Sequence, residues 1–176
     1  GPAAICCGQM WEVWNFVLSY AEIHTLNTGA MMNEPVSAIM TKNVVTVKPN
    51  DTLDKVKNIL FDKHFHHIPV VEGPRNKLLG IITSFDLMKL DRRFEDYSRI
   101  RVSEVMTTNI VTLESHEKIG AAAMIFLRKL FHGLPIVNQQ MELVGIVTTH
   151  DVLKYEFDKE YPNDTFELAY RVNEQD

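Results

Sequence analysis

Two threonine–aspartate pairs are the groups best placed to do chemistry: Thr83 with Asp86, and Thr148 with Asp151. The partners are three residues apart, and each pair directly follows a β-rich apolar run, Leu78 to Ile82 or Leu143 to Val147. Where such a run turns into a helix, an ionised carboxylate can accept hydrogen bonds from two neighbouring hydroxyls, each worth about 1.5–3 kcal/mol when charge-assisted. The threonine hydroxyl and the unpaired amides of the first helical turn favour an anion at the same place. His66 and His132 precede the two runs. An imidazole there can donate to a phosphate, which in turn raises its pKa toward the charged form. The Thr-x-x-Asp spacing equally satisfies a capping box, and both helices need caps whatever they bind. A metal is a further reading, because His64, His66 and His67 are closely spaced imidazoles. In an extended chain His64 and His66 share a face while His67 points away. Only His132 joins them, and it has no companions in its own part of the chain, so anion contact serves both histidine groups better and no metal site is expected.

The elements that must position these groups come in duplicate. Val36-Ser37-Ala38-Ile39-Met40-Thr41 returns 66 residues later (36 to 102) as Val102-Ser103-Glu104-Val105-Met106-Thr107. His66-His67-Ile68-Pro69-Val70-Val71 returns at the same offset (66 to 132) as His132-Gly133-Leu134-Pro135-Ile136-Val137. The Gly80-Ile81-Ile82-Thr83 run returns one residue earlier (80 to 145) as Gly145-Ile146-Val147-Thr148. The missing residue falls in the turn Glu72 to Asn76 against Asn138 to Gln140, where insertions disturb least. A fixed period implies two copies of one supersecondary unit, each burying its apolar face against the other. Each copy reads β-α-β-β-α. It begins with an apolar stretch (Val44 to Val47; Ile110 to Leu113) and a helix with apolar residues at helical spacing. Two β-rich runs follow, and a last helix starts near Asp86 or Asp151.

With 176 residues the chain can bury a core of ordinary size. Hydrophobic content of 45% and charged content of 23% place it among soluble globular proteins. A net charge of −5 argues against a nucleic-acid groove, and the one basic cluster, Arg92, Arg93, Arg99 and Arg101, reads as a solvated face. Cys6 and Cys7 are adjacent and offer no disulfide framework, and no apolar run reaches the ~18 residues of a membrane span. A cytoplasmic protein that contacts no membrane is the expectation.

Four segments follow: an N-terminal helical extension (1–33), two repeats (34–94 and 95–158) and a C-terminal tail (159–176). The extension places Trp11, Trp14, Val17, Leu18 and Ala21 at helical steps, a broad apolar face that needs something to pack on. Its opening Gly-Pro reads as a remnant of tag removal, with Met31 or Met32 as the natural start; otherwise it is a native helix that docks on the repeats or on a partner.

The duplicated Val-Ser-x-h-Met-Thr, His-x-h-Pro-h-Val and Gly-h-h-Thr-x-x-Asp motifs (h apolar) resemble those of a tandem pair of cystathionine β-synthase (CBS) domains, the Bateman module, over about residues 34–158. The resemblance implies an α/β (α+β) fold: two β-α-β-β-α CBS repeats packed with pseudo-twofold symmetry, here with an added N-terminal helix. It implies clefts between the repeats for an adenosine-containing ligand (AMP, ADP, ATP or S-adenosylmethionine), a homodimer and a regulated effector protein. Thr83, Asp86, Thr148 and Asp151 would then hold ribose and phosphate, and His66, His67 and His132 the phosphate. Val44, Pro69, Ile110 and Pro135 would form the adenine slot. Phosphate-gripping members often carry arginine directly after that histidine, whereas His67 and Gly133 stand there in this chain. That departure disfavours polyphosphates and leaves AMP or an adenosine ligand with an uncharged tail.

A regulatory nucleotide-binding module is the function expected, with no required cofactor. The alternative is an interaction or dimerisation scaffold that acts through the N-terminal helix. An enzyme is not expected, because the chain shows no nucleophile–base–orienter set, no Walker-type phosphate loop and no paired catalytic carboxylates.

Overall fold

β-branched runs bounded by glycine, proline and asparagine form the strands, as their composition dictates. A computed structural model describes residues 32–63 and 66–162 of the chain. In the first copy, helix α1 (Leu53–Lys63) leads to strands β1 (His67–Glu72) and β2 (Lys77–Thr83) and to helix α2 (Ser84–Lys89). The second copy repeats this with β3 (Leu113–Glu114), α3 (Ile119–Lys129), β4 (Gly133–Val137), β5 (Leu143–Thr148) and α4 (Thr149–Glu160). β1 and β2 pair antiparallel, as do β4 and β5, and β3 runs parallel to β4. Both hairpins carry a bulge at the same repeat position, Val70/Val71 and Ile136/Val137.

The opening strand of each copy is shorter than its composition predicts. In the first copy it shrinks to a single parallel bridge, Val47 to Val70, and in the second to the two residues of β3. The residues just before, Asn43 to Val45 and Asn109 to Val111, leave the sheets to become walls of clefts. The final helices begin at Ser84 and Thr149, two residues ahead of the aspartates.

The copies exchange their leading segments. Thr41, in the leading segment of the first copy, pairs with Ile146 of the second through reciprocal bonds of 2.9 and 3.0 Å, and Thr107 pairs with Ile81 of the first through two of 2.9 Å. The bridges Pro35 to Lys118 and Thr52 to Arg101 repeat the exchange. Val102 is accordingly fully buried with Val47, Leu53, Val56, Ile68, Val70, Ile82 and Leu87 in a core of the first copy. A smaller core joins the copies, with Val71 and Leu78 against Val137.

The exchange explains two duplicated motif residues. A Cβ on Gly80 would lie 2.8 Å from the Thr107 carbonyl oxygen and 2.9 Å from Met106 Sδ. One on Gly145 would lie 2.6 Å from Met40 Sδ. The glycine of one copy thus receives the Met-Thr segment of the other.

The polar linker also contributes to the core. Tyr97 is 2% exposed among apolar neighbours, and its hydroxyl donates to the Leu87 carbonyl at 3.3 Å. The four linker arginines are exposed. The tryptophan-rich helix expected before residue 32 and the tail beyond Pro162 lie outside the described residues.

Candidate functional site

Each hairpin ends in a threonine that caps the following helix. Thr83 Oγ1 accepts from the Asp86 amide at 3.2 Å, and Asp86 Oδ2 accepts from the Thr83 amide and hydroxyl at 2.8 and 2.7 Å. Thr148 and Asp151 reproduce this, with 3.3, 2.7 and 2.7 Å. Both capping boxes are therefore complete, yet on each carboxylate the side-chain bonds end on Oδ2. Among the described residues no hydrogen bond reaches the other oxygen, Oδ1, of Asp86 or Asp151. Capping and diol binding are thus compatible, one oxygen for each.

Both carboxylates line clefts between the copies. The α2 cleft, of 610 Å3, takes Thr83 and Asp86 from the first copy and Asn109, Ile110, His132 and Pro135 from the second. The α4 cleft, of 530 Å3, takes Thr148 and Asp151 from the second copy and Asn43, Val44, His66 and His67 from the first. The exchanged segments make this possible, because Thr107 and Thr41 carry Ile110 and Val44 across to the opposite cap.

The three histidines line both clefts. The His67 and His132 rings lie 6.4 Å apart, and His66 and His132 occupy equivalent positions, their carbonyls accepting from Ser84 and Thr149 at 3.2 Å. His67 and Gly133 are also equivalents, and they compete for one space. A Cβ on Gly133 would sit 3.0 Å from His67 Cγ, so the ring that fills the space between the copies would have to give way by a few tenths of an ångström to any side chain opposite. Burial pushes the His67 imidazole down to about 4, the His132 and His66 rings add to this, and Asp86 opposes it. In the protein alone His67 is thus a neutral donor or acceptor at physiological pH.

Every residue predicted for the site lines one of these clefts except Pro69. It is buried in β1, which runs between Val47 and β2, and lines neither cleft. Its equivalent Pro135 lines the α2 cleft. Sequence reasoning missed Thr41, Asn43, Thr107 and Asn109, although all four recur at the repeat offset, and it missed Lys89, whose equivalent Lys154 lines neither cleft, and His150, which replaces Phe85 of the first copy. Among the described residues no group of three metal-ligating side chains converges; His64 lies outside them. No helix among the described residues is long and apolar enough to cross a membrane.

The chain matches the CBS domain twice, over residues 36–93 and 102–158. It is similar to the crystal structure of the CBS domain pair of protein MJ0100 in complex with 5′-methylthioadenosine and S-adenosyl-L-methionine. The identity is 29% and the TM-score 0.62, covering 71% of this chain and 97% of that one. It is also similar to CBSX2 in complex with AMP, at 25% identity and TM-score 0.65 over 72% and 98% of the two chains. A homoserine O-acetyltransferase of Methanococcus vannielii is 30% identical over 137 residues, 78% of this chain and 28% of that protein. The chain thus spans about a quarter of the length of such curated relatives.

Proposed function

The chain belongs to the CBS-domain family, and from that premise we propose that it is a regulatory module whose clefts take adenosine-containing ligands and that acts on a partner without itself catalysing a reaction. One observation carries this: both cap aspartates, already held through Oδ2 by their threonines, line a cleft whose opposite wall includes an apolar residue, Ile110 or Val44. A ribose diol can bond to Oδ1, Ile110 or Val44 can flank the base, and the histidines between the copies can donate to a 5′ substituent. The complexes of the MJ0100 pair with 5′-methylthioadenosine and S-adenosyl-L-methionine, and of CBSX2 with AMP, support the ligand class. Phe61, Phe85, Met88, Leu127 and Leu153 are more than half exposed on the helices. They supply an apolar surface for the homodimer and effector that the family pattern implies.

Calorimetric titration with AMP, ADP, ATP and S-adenosylmethionine tests the reading. Asp86→Asn and Asp151→Asn should each weaken one site by tenfold or more, the effect of losing about 1.4 kcal/mol. Titrations unchanged in the double variant would sink the site assignment.

A further inference from the structure

We propose that the two clefts sort ligands by charge: the α2 cleft takes an adenosine compound with an anionic 5′ group, and the α4 cleft one whose 5′ group is uncharged or cationic. This rests on the adenosine reading above. The features common to both clefts cannot discriminate, since each has one cap aspartate and they share His66, His67 and His132.

The difference is Lys89, which lines the α2 cleft and among the described residues is the one Lys or Arg lining either. Its repeat equivalent, Lys154 (65 residues on, 89 to 154), lines neither cleft and is held by Asp158 at 2.7 Å. That pair is the i, i+4 ion pair of a long helix. α2 ends at Lys89, and the residue four positions on is Arg93, so the corresponding pair cannot form. Lys89 folds back instead over Phe85, with Nζ 4.3 Å from the ring centroid. His150 stands where the second copy would have that phenylalanine, and it lines the α4 cleft.

A lysine offers a phosphate a compact point charge on a flexible stem. With the aspartate occupied by ribose, the α2 cleft keeps a permanent cation for a phosphate. The α4 cleft, its aspartate likewise on the ribose, has no Lys or Arg among its described lining residues, and a phosphate withdrawn from water without a counter-charge is penalised. An uncharged thioether escapes that penalty, and a cationic sulfonium has it offset by the Asp151 carboxylate.

The full chain is titrated with AMP and with 5′-methylthioadenosine. Lys89→Gln should weaken AMP about tenfold and leave 5′-methylthioadenosine unchanged, and added salt should weaken AMP alone. Asp86→Asn should abolish the stronger AMP site and Asp151→Asn should not. His150 is exposed, so His150→Lys is compatible with folding and should strengthen AMP at the α4 cleft about tenfold. Unchanged AMP affinity in Lys89→Gln, or AMP lost on Asp151→Asn rather than Asp86→Asn, overturns the inference. AMP binding equally at both clefts overturns the sorting alone, whereas a wild-type chain that binds neither compound overturns the adenosine reading with it.

Discussion

Gly80→Ala tests the packing on which the clefts depend. The added Cβ would lie 2.8 Å from the Thr107 carbonyl oxygen, and ordinary contact begins at 3.4 Å, so the crossing segment must retreat by the difference. That retreat lengthens the two Ile81–Thr107 hydrogen bonds from 2.9 Å to about 3.5 Å, the outer limit for such a bond. Losing both costs about 1 kcal/mol each, and overpacking adds roughly 1–3 kcal/mol. The stiffer unfolded chain returns about 0.4–1 kcal/mol, leaving a net destabilisation of about 2–5 kcal/mol. Gly145→Ala is the internal control. Its nearest obstacle is Met40 Sδ, the far end of a flexible side chain, and the Thr41 carbonyl oxygen stands at 3.1 Å, so a loss of about 1–2 kcal/mol is expected. Urea denaturation of both variants reads the stabilities, and AMP titration reads the α2 cleft, whose Ile110 wall hangs from Thr107. A Gly80→Ala protein within 0.5 kcal/mol of wild type, or one more stable than Gly145→Ala, would refute the argument that the exchanged segment is clamped by the glycine.

Two further outcomes follow from the space between the copies. Gly133→Ala should destabilise by about 1 kcal/mol through the 3.0 Å approach to His67 Cγ. The penalty should vanish when His67→Ala is also present, and additive losses in the double-mutant cycle would disprove the competition. His67 also makes stability pH-dependent. Its folded value of about 4 lies below the ordinary 6.5, so between those values the unfolded chain takes up a proton that the folded ring refuses. Stability from this group is complete above pH 6.5, declines as pH falls to 4 and declines no further below that. The loss should reach roughly 1–2 kcal/mol, since the partly open ring gives less than the ~1.4 kcal/mol per pKa unit of a sealed one. Thermal melts of wild type and His67→Ala across this range should converge toward acid pH; parallel curves would contradict the assignment.

The repeat made the fold legible, because three motifs that return in order, two at 66 residues and the third at 65, allow little besides two packed copies. The caps were legible for the same reason: Thr-x-x-Asp after a strand has few other uses. What the sequence did not disclose was exchange. Nothing local in Met106-Thr107 says that these residues pair with Ile81 of the preceding copy rather than with their own hairpin. The exchange also shortens the opening strands, since Val44 and Ile110 have strand propensity but are drawn off to line clefts. Tyr97 was hidden by its neighbours, a buried ring within a run of charged residues. Pro69 and Pro135 looked interchangeable by repeat position, and only the shape of the clefts separates them.

Exchange has a consequence for any ligand. Each cleft takes its cap from one copy and the facing wall from the other, so a molecule that fills it touches both. Binding in either cleft therefore acts on the association of the copies as well as on local order. At a hundredfold excess over Kd a ligand specific to the folded state adds about 2.7 kcal/mol. That is comparable with the loss expected from Gly80→Ala, so a saturating ligand of the α2 cleft should restore that variant's melting temperature to near the wild-type value without ligand. A ligand confined to the α4 cleft, at the same hundredfold excess, should do so at least as well, because its affinity does not draw on the Ile81–Thr107 junction that Gly80→Ala disturbs. A ligand controls an attached or separate partner only through its difference in affinity for two arrangements of the protein. The junctions at Thr41 and Thr107 are where two such arrangements would differ, because each joins one copy's cap strand to the other copy's cleft wall.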